Sequence, residues 1–231
     1  MALRAKEMIL VFGIRRSGNH LISDWLIHQY ADPCFQALNV QLDFFYFLDE
    51  CATKCSFYNC ALFGIEEHPV SAVDIAYSKH AQAVKKVVIL RDPYNLFASR
   101  IKHYKLFDAP VFNGPFATYN WVDYAKFMLN PPGNVVCVSY NHFIADRNYR
   151  AHILERLDAD FNSENDRKYM NKVDSSISGG SSFDGKRYDG AGAQMKITQR
   201  WEYYKDNPIY RNLFTDEIKA LSEEIFNFRP F

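Results

Sequence analysis

Apolar residues run along this chain in short blocks, and the spacing inside the blocks alternates between two periods. Residues 7–13 form an apolar run ended by Gly13, which predicts a buried parallel strand. In residues 18–30, Leu21, Ile22, Trp25, Leu26 and Tyr30 fall at helical spacing. Strand, tight loop and helix in that order make the first half of a βαβ unit. Residues 60–66 predict a second buried strand, and residues 70–78 a short helix after Pro69. Residues 85–91 predict a strand around Val87-Val88-Ile89-Leu90. Asp92-Pro93 then supplies an N-cap and a first-turn proline for a helix reaching about Tyr104. A helix over 119–129, closed by Pro131-Pro132-Gly133, precedes a strand over 134–139. Amphipathic helices follow over 149–157 and 208–226, while the aromatic block 42–48 matches neither period. Strands alternating with helices predict an α/β fold of three layers, with a mostly parallel sheet covered on both faces.

The stretch 162–194 breaks this rhythm with a concentration of Ser and Gly, and its composition predicts a flexible loop. It carries Lys186 and Arg187, so two readings stand: a lid over an anionic ligand, or a plain excursion. A chain of 231 residues, 48% of them hydrophobic, is long enough for one sizeable domain over 1–231. Aromatic residues reach 16%, which serves either a bulky core or a stacking surface for a base or sugar. Lys plus Arg and Asp plus Glu balance at 27 each, so no global field favours nucleic acid, and any anion site must be local. Five cysteines in a chain of this size read as reduced thiols, not as a disulfide framework. The cluster Cys51, Cys55 and Cys60 lacks the paired spacing of a zinc site, and no metal is expected. No apolar run is long enough to span a bilayer, and residues 8–14 lack a cleavage pattern, so the expectation is a cytoplasmic protein.

The chemistry concentrates between the first strand and the first helix, in Gly13-Ile14-Arg15-Arg16-Ser17-Gly18-Asn19-His20. Against the pattern G-x-x-x-x-G-K-[ST], both glycines are placed correctly, but Asn19 stands at the Lys position and His20 at the hydroxyl position. The groups that hold ATP β/γ-phosphates and Mg²⁺ are therefore missing. The cradle remains: a loop entering a helix points unpaired amides at an anion, and the helix dipole favours negative charge. Arg15 and Arg16 add forked, permanent cations, and Ser17 a hydroxyl. The plain alternative is a tight turn with two solvated arginines. Arg91 ends a second strand and Ser99 lies two turns into its helix, on the sheet edge where parallel folds bind ligands. An ion pair of Arg91 with Asp92 is its plain alternative, whereas a ligand with anions at two separated points explains both sites.

Residues 13–20 resemble the 5′-phosphosulfate loop of sulfotransferases, which often reads Pro-Lys-Ser-Gly-Thr-Thr. Residues 88–100, Val-Ile-Leu-Arg-Asp-Pro-Tyr-Asn-Leu-Phe-Ala-Ser-Arg, resemble their 3′-phosphate motif, with a helical Ser eight positions after the Arg. Residues 136–143 are more weakly similar to the family's strand-then-Tyr segment, and Arg200-Trp201 to bacterial members. The resemblance implies a P-loop-like fold with a five-stranded sheet. It also implies a metal-free co-substrate, 3′-phosphoadenosine 5′-phosphosulfate (PAPS), and transfer of its sulfuryl group to a hydroxyl or amine. By position Arg16 matches the family's catalytic Lys, while Arg15, Arg16, Ser17, Gly18, Asn19, His20, Arg91 and Ser99 match donor-binding positions. An arginine supplies charge there but not a proton. The family's base is a His, or in some branches a Glu; His68 and then Glu67 are the candidates. Against that, one carboxylate caps a helix and His68 is a loop residue. By analogy of position, Lys186 and Arg187 close over the 3′-phosphate. The acceptor is a small molecule or carbohydrate, with sugar, phenol, lipid headgroup and small alcohol all open; no motif specifies an oligomeric state. A nucleotide-dependent phosphotransferase and a non-catalytic nucleotide-binding protein stand as alternatives.

Overall fold

The computed structural model describes residues 5–30, 34–40, 59–71, 81–108, 114–172, 181 and 183–231. Five parallel strands make one sheet: β1 (Ala5–Gly13), β2 (Cys34–Val40), β3 (Cys60–Glu66), β4 (Ala81–Leu90) and β5 (Val135–Ser139), in the order β2-β3-β1-β4-β5. β1 is central, and its last residue is paired with Glu66 on one side and Ile89 on the other. Its side chains divide by parity. Met8, Leu10 and Phe12 join the core on one face, and Ile9 and Val11 the core on the other. Helix α1 (Asn19–Ile27) covers the second face with Ile22, Trp25 and Leu26. Helix α2 (Pro93–Tyr104) covers the first with Leu96, Phe97 and Ile101. These are the two buried faces that the apolar runs of β1 and β4 require.

Several elements differ from the sequence expectation. Strand β2 has no counterpart in it: Gln36 and Asn39 interrupt the apolar run, and the register shifts between Ala37 and Val40 at this edge strand. The predicted loop 162–194 opens with a helix, α7 (Ser163–Asn171), after the short α3 (Gly114–Thr118), α4 (Trp121–Leu129), α5 (Tyr140–Ala145) and α6 (Arg147–Arg156). Asn162 caps α7 by accepting from the Glu164 and Asn165 amides. The helix is anchored by a polar residue: buried Asp166 accepts from Trp25 Nε1 at 2.9 Å and Arg150 Nε at 2.6 Å. An apolar period cannot reveal such a helix. The single helix expected over 119–129 starts only after Asn120 at φ 60°, and that over 208–226 is split into α8 (Pro208–Arg211) and α9 (Asp216–Phe226) by the Thr215 cap. The block 42–48, most of 70–78, and Cys51 and Cys55 lie outside the described residues. Among the described residues no helix is long and apolar enough to cross a membrane.

Candidate active site

Gly13, Glu66, Arg91 and Tyr140 each end or directly follow a strand, so β1, β3, β4 and β5 deliver them to one carboxyl edge. The loop after β1 turns at once, with the Ser17 amide donating to the Ile14 carbonyl at 3.0 Å. Arg16 and Gly18 take positive φ, 74° and 92°. Gly18 is required twice over, by its left-handed backbone and because a Cβ would lie 2.0 Å from the Tyr140 ring. The N-cap Gly18 offers no side chain to cap α1 and no acid stands in its first turn, so this helix N-terminus suits an anion.

Two consecutive glutamates brace this loop from β3. Glu66 Oε1 accepts from Asn19 Nδ2 at 2.9 Å, and Glu66 Oε2 lies 3.6 Å from Arg15 Nε. Glu67 Oε1 accepts from the Arg15 amide at 2.8 Å and is ion-paired with Arg100 Nη2. Burial opposes the charge on Arg15, but Tyr104, Glu66 and Glu67 together outweigh it and hold its pKa above the ordinary value. Asn19 donates to Glu66 and, at 3.1 Å, to the Ile14 carbonyl, so its amide NH₂ fastens the loop instead of reaching outward.

A cavity of about 520 Å³ opens over the loop, lined by Arg15, Arg16, Gly18, Asn19, His20, Glu66, Arg91, Ser99, His103, Tyr104, Tyr140, Lys172 and Arg200, among others. A second space of about 760 Å³ adjoins it and shares Leu21, Tyr140, Lys172, Met195 and Ile197. Arg91 is 2% exposed; it donates to the Arg16 and Ile197 carbonyls and lies over the Tyr140 ring. Ser99 accepts from Arg200 Nη1 at 3.2 Å. Burial, followed by the charge of Arg91, pushes the Arg16 pKa down. Burial, then Arg91, pushes Arg200 down to about 9, with Arg16 adding a smaller like-charge effect. Both keep their proton at neutral pH. The shifts record positive charge crowded into a buried space, and among the described residues Nε of Arg16 and of Arg200 are buried without a hydrogen-bond partner.

The remaining expected residues fall elsewhere. Ser17 is fully buried and does not line the cavity. Glu67 and His68 do not line it either: Glu67 is held by Arg100, and the His68 carbonyl accepts from Tyr124. Lys186 and Arg187 are exposed and off the lining, and Arg187 lies over the Tyr188 ring. The late cation that reaches Ser99 is Arg200, from a 3₁₀ turn at Arg200–Tyr203. The proton-accepting groups on the lining include Glu66 and His103. His103 stands at the exposed end of α2, and burial, then Arg16 and Arg15, lower its pKa. Tyr140 was legible as the residue following a buried strand, and Arg200 by the likeness of Arg200-Trp201 to bacterial family members, but its pairing with Ser99, 101 positions away, was not.

No protein-family model and no curated protein matches this sequence. Solved structures do match. The sulfotransferase domain from the curacin biosynthetic pathway aligns with 98% of this chain and 100% of its own, at TM-score 0.59 and 13% identity. The sulfotransferase domain from the Synechococcus PCC 7002 olefin synthase aligns with 97% of this chain and 96% of its own, at 0.54 and 15%. A mouse sulfotransferase, SULT7A1, complexed with PAP, aligns with 97% of this chain and 87% of its own, at 0.58 and 15%. This chain has the sulfotransferase fold. Within that fold Arg15, Arg16, Gly18, Asn19 and His20 line one cavity together with Arg91 and Ser99.

Proposed function

We propose that this protein is a metal-independent sulfotransferase, one domain over 1–231, acting in a cytoplasmic setting. Its donor is PAPS, and its acceptor is a hydroxyl or amine on a small molecule or carbohydrate. The observation that supports the reading is the cavity lined by several cationic side chains. Arg16, Arg91, Ser99 and Arg200 line it together beside the N-terminus of α1, and among the described residues Nε of Arg16 and of Arg200 has no hydrogen-bond partner. The absence of a Lys at 19 and of a Ser or Thr at 20 favours this donor over a magnesium nucleotide. Bound PAPS supplies the sulfuryl group. Arg16 neutralises charge gathering on the bridging oxygen as the bond breaks, without giving up its proton. Tyr140 and the adjoining space give the nucleoside a wall and a volume. For the acceptor's proton, His103 is better placed than Glu67 or His68. It lines the cavity mouth, and its lowered pKa keeps the imidazole neutral, the form that accepts a proton. Glu66 is occupied in bracing the loop.

The test is a thermal-shift and calorimetric comparison of adenosine 3′,5′-bisphosphate (PAP), adenosine 5′-phosphate, ATP, and ATP with Mg²⁺. At 100 times its dissociation constant a ligand of the native state adds about 2.7 kcal/mol. PAP is expected to stabilise most. Greater stabilisation by ATP with Mg²⁺ replaces this reading with a phosphotransferase.

A further inference from the structure

We infer that Asp184 and Arg200 form a counter-ion switch: Asp184 competes with a ligand's second anion for the Arg200 guanidinium and so sets selectivity for doubly anionic ligands. The inference rests on the two-anion reading above, which uses Arg200, and adds Asp184 to it. Arg200 is only 9% exposed and has three neighbours of unequal strength. Its Nη1 donates to Ser99 Oγ at 3.2 Å and its Nη2 to Ser181 Oγ at 2.7 Å. Its carboxylate partner, Asp184 Oδ2, stands 3.7 Å from Nη2, beyond hydrogen-bond distance. Among the described residues the Nε–Nη2 edge, the fork that suits a phosphate or carboxylate, is thus engaged by a neutral hydroxyl and a long ion pair, and Nε has no partner. Phe183 lies under the guanidinium, 5.1 Å from its ring centre, and keeps its plane in place.

Asp184 belongs to a tight turn tied to Ser181 by hydrogen bonds. The Ser181 and Gly185 backbones exchange two hydrogen bonds of 2.9 Å. Ser181 Oγ accepts from the Phe183 and Asp184 amides at 3.2 Å and donates to Asp184 Oδ2 at 3.0 Å. Ser181 lines the cavity, so this turn ends at the ligand space. A ligand anion that takes the Nε–Nη2 edge competes with the long Asp184 pair. Asp184 then loses a partner. The stronger the Asp184 pairing, the weaker the hold on the second anion.

Calorimetry with PAP and adenosine 5′-phosphate at fixed ionic strength tests this on wild type, Arg200→Gln, Asp184→Asn and the double variant, with a melting curve for each. Arg200→Gln is expected to weaken PAP binding by about 10–100-fold, the range of a lost charge-assisted pair, and to leave adenosine 5′-phosphate within about 3-fold. Asp184→Asn is expected to tighten PAP binding by about 3–10-fold without changing adenosine 5′-phosphate, since it removes a partly exposed charge at long range. In the double variant the gain disappears. Weaker PAP binding by Asp184→Asn, or a PAP preference intact in Arg200→Gln, overturns the switch while leaving the two-anion reading standing. A wild type without preference for PAP removes both. If Arg200→Gln melts below the assay temperature, Asp184→Asn decides alone.

Discussion

Glu67 separates two roles that its position in the sequence leaves open, base and counter-ion. Arg100 is wholly buried beneath the anion loop. Its guanidinium donates to the carbonyls of Phe116 at 2.8 Å, Ala117 at 3.3 Å and Arg15 at 3.3 Å, and pairs with Glu67 Oε1. Among the described residues that carboxylate is its ion-pair partner. Removing one member of a buried pair costs about 3–5 kcal/mol, because the other charge is left uncompensated. The Glu67 side chain is 19% exposed, so solvent reduces the loss, and Glu67→Ala should cost about 2–4 kcal/mol. For a chain of this length that is a fall in melting temperature on the order of 5–15 °C. Glu67→Gln keeps the acceptor for the Arg15 amide and should cost roughly half as much. Arg100→Met added to Glu67→Ala removes the orphaned charge and should recover part of the loss, though three carbonyls lose a donor. Urea and thermal unfolding of the three variants measure these values. A Glu67→Ala protein melting within about 2 °C of wild type would refute the counter-ion role and return Glu67 to the list of bases.

Gly18→Ala should destabilise by about 1–2 kcal/mol for its left-handed backbone and a further 1–3 kcal/mol, roughly, for the overlap with Tyr140. Tyr140→Ala should relieve only the second part, and a urea midpoint for Gly18→Ala equal to wild type would show that the close approach does not exist. Arg16→Ala should lower PAP release from PAPS, measured with a panel of phenols, sugars and alcohols, by about 100-fold or more with little change in melting; near-normal release removes Arg16 from the mechanism. His103 has a depressed pKa, so the stability it contributes is complete above the ordinary histidine value of about 6.5 and is lost as pH falls through the folded pKa. Bound PAP offsets the charge of Arg16 and should move that pKa upward in an NMR titration; an unmoved resonance would place His103 away from the anion.

What the sequence made legible was what short-range spacing encodes. β1 and β4 carry apolar runs uninterrupted enough to read as buried strands, and the glycines of residues 13–20 mark their own turn. β2 was hidden because an edge strand tolerates Gln36 and Asn39, and α7 because its anchor is the charged Asp166. The loop residues and Arg91 and Ser99 were found from spacing, and they line one cavity apart from Ser17. The glutamates show the limit most clearly. The strand pattern brings residues 66 and 67 to the right edge but cannot say that one faces Asn19 and the other Arg100. That choice depends on Glu67 taking a positive φ of 64°, which turns the chain at the strand end.

The contacts that complete the site are all long-range. The Arg15 amide reaches Glu67 across 52 positions, Ser99 and Arg200 meet across 101, and Arg91 reaches the Ile197 carbonyl across 106. Loop-closure entropy delays such contacts during folding, so the ligand-binding surface assembles only after the central strands have zipped. A nucleotide then cannot template the early steps of folding. It acts on the finished state, slowing unfolding while leaving the folding rate unchanged, and ligand affinity becomes a reporter of complete folding.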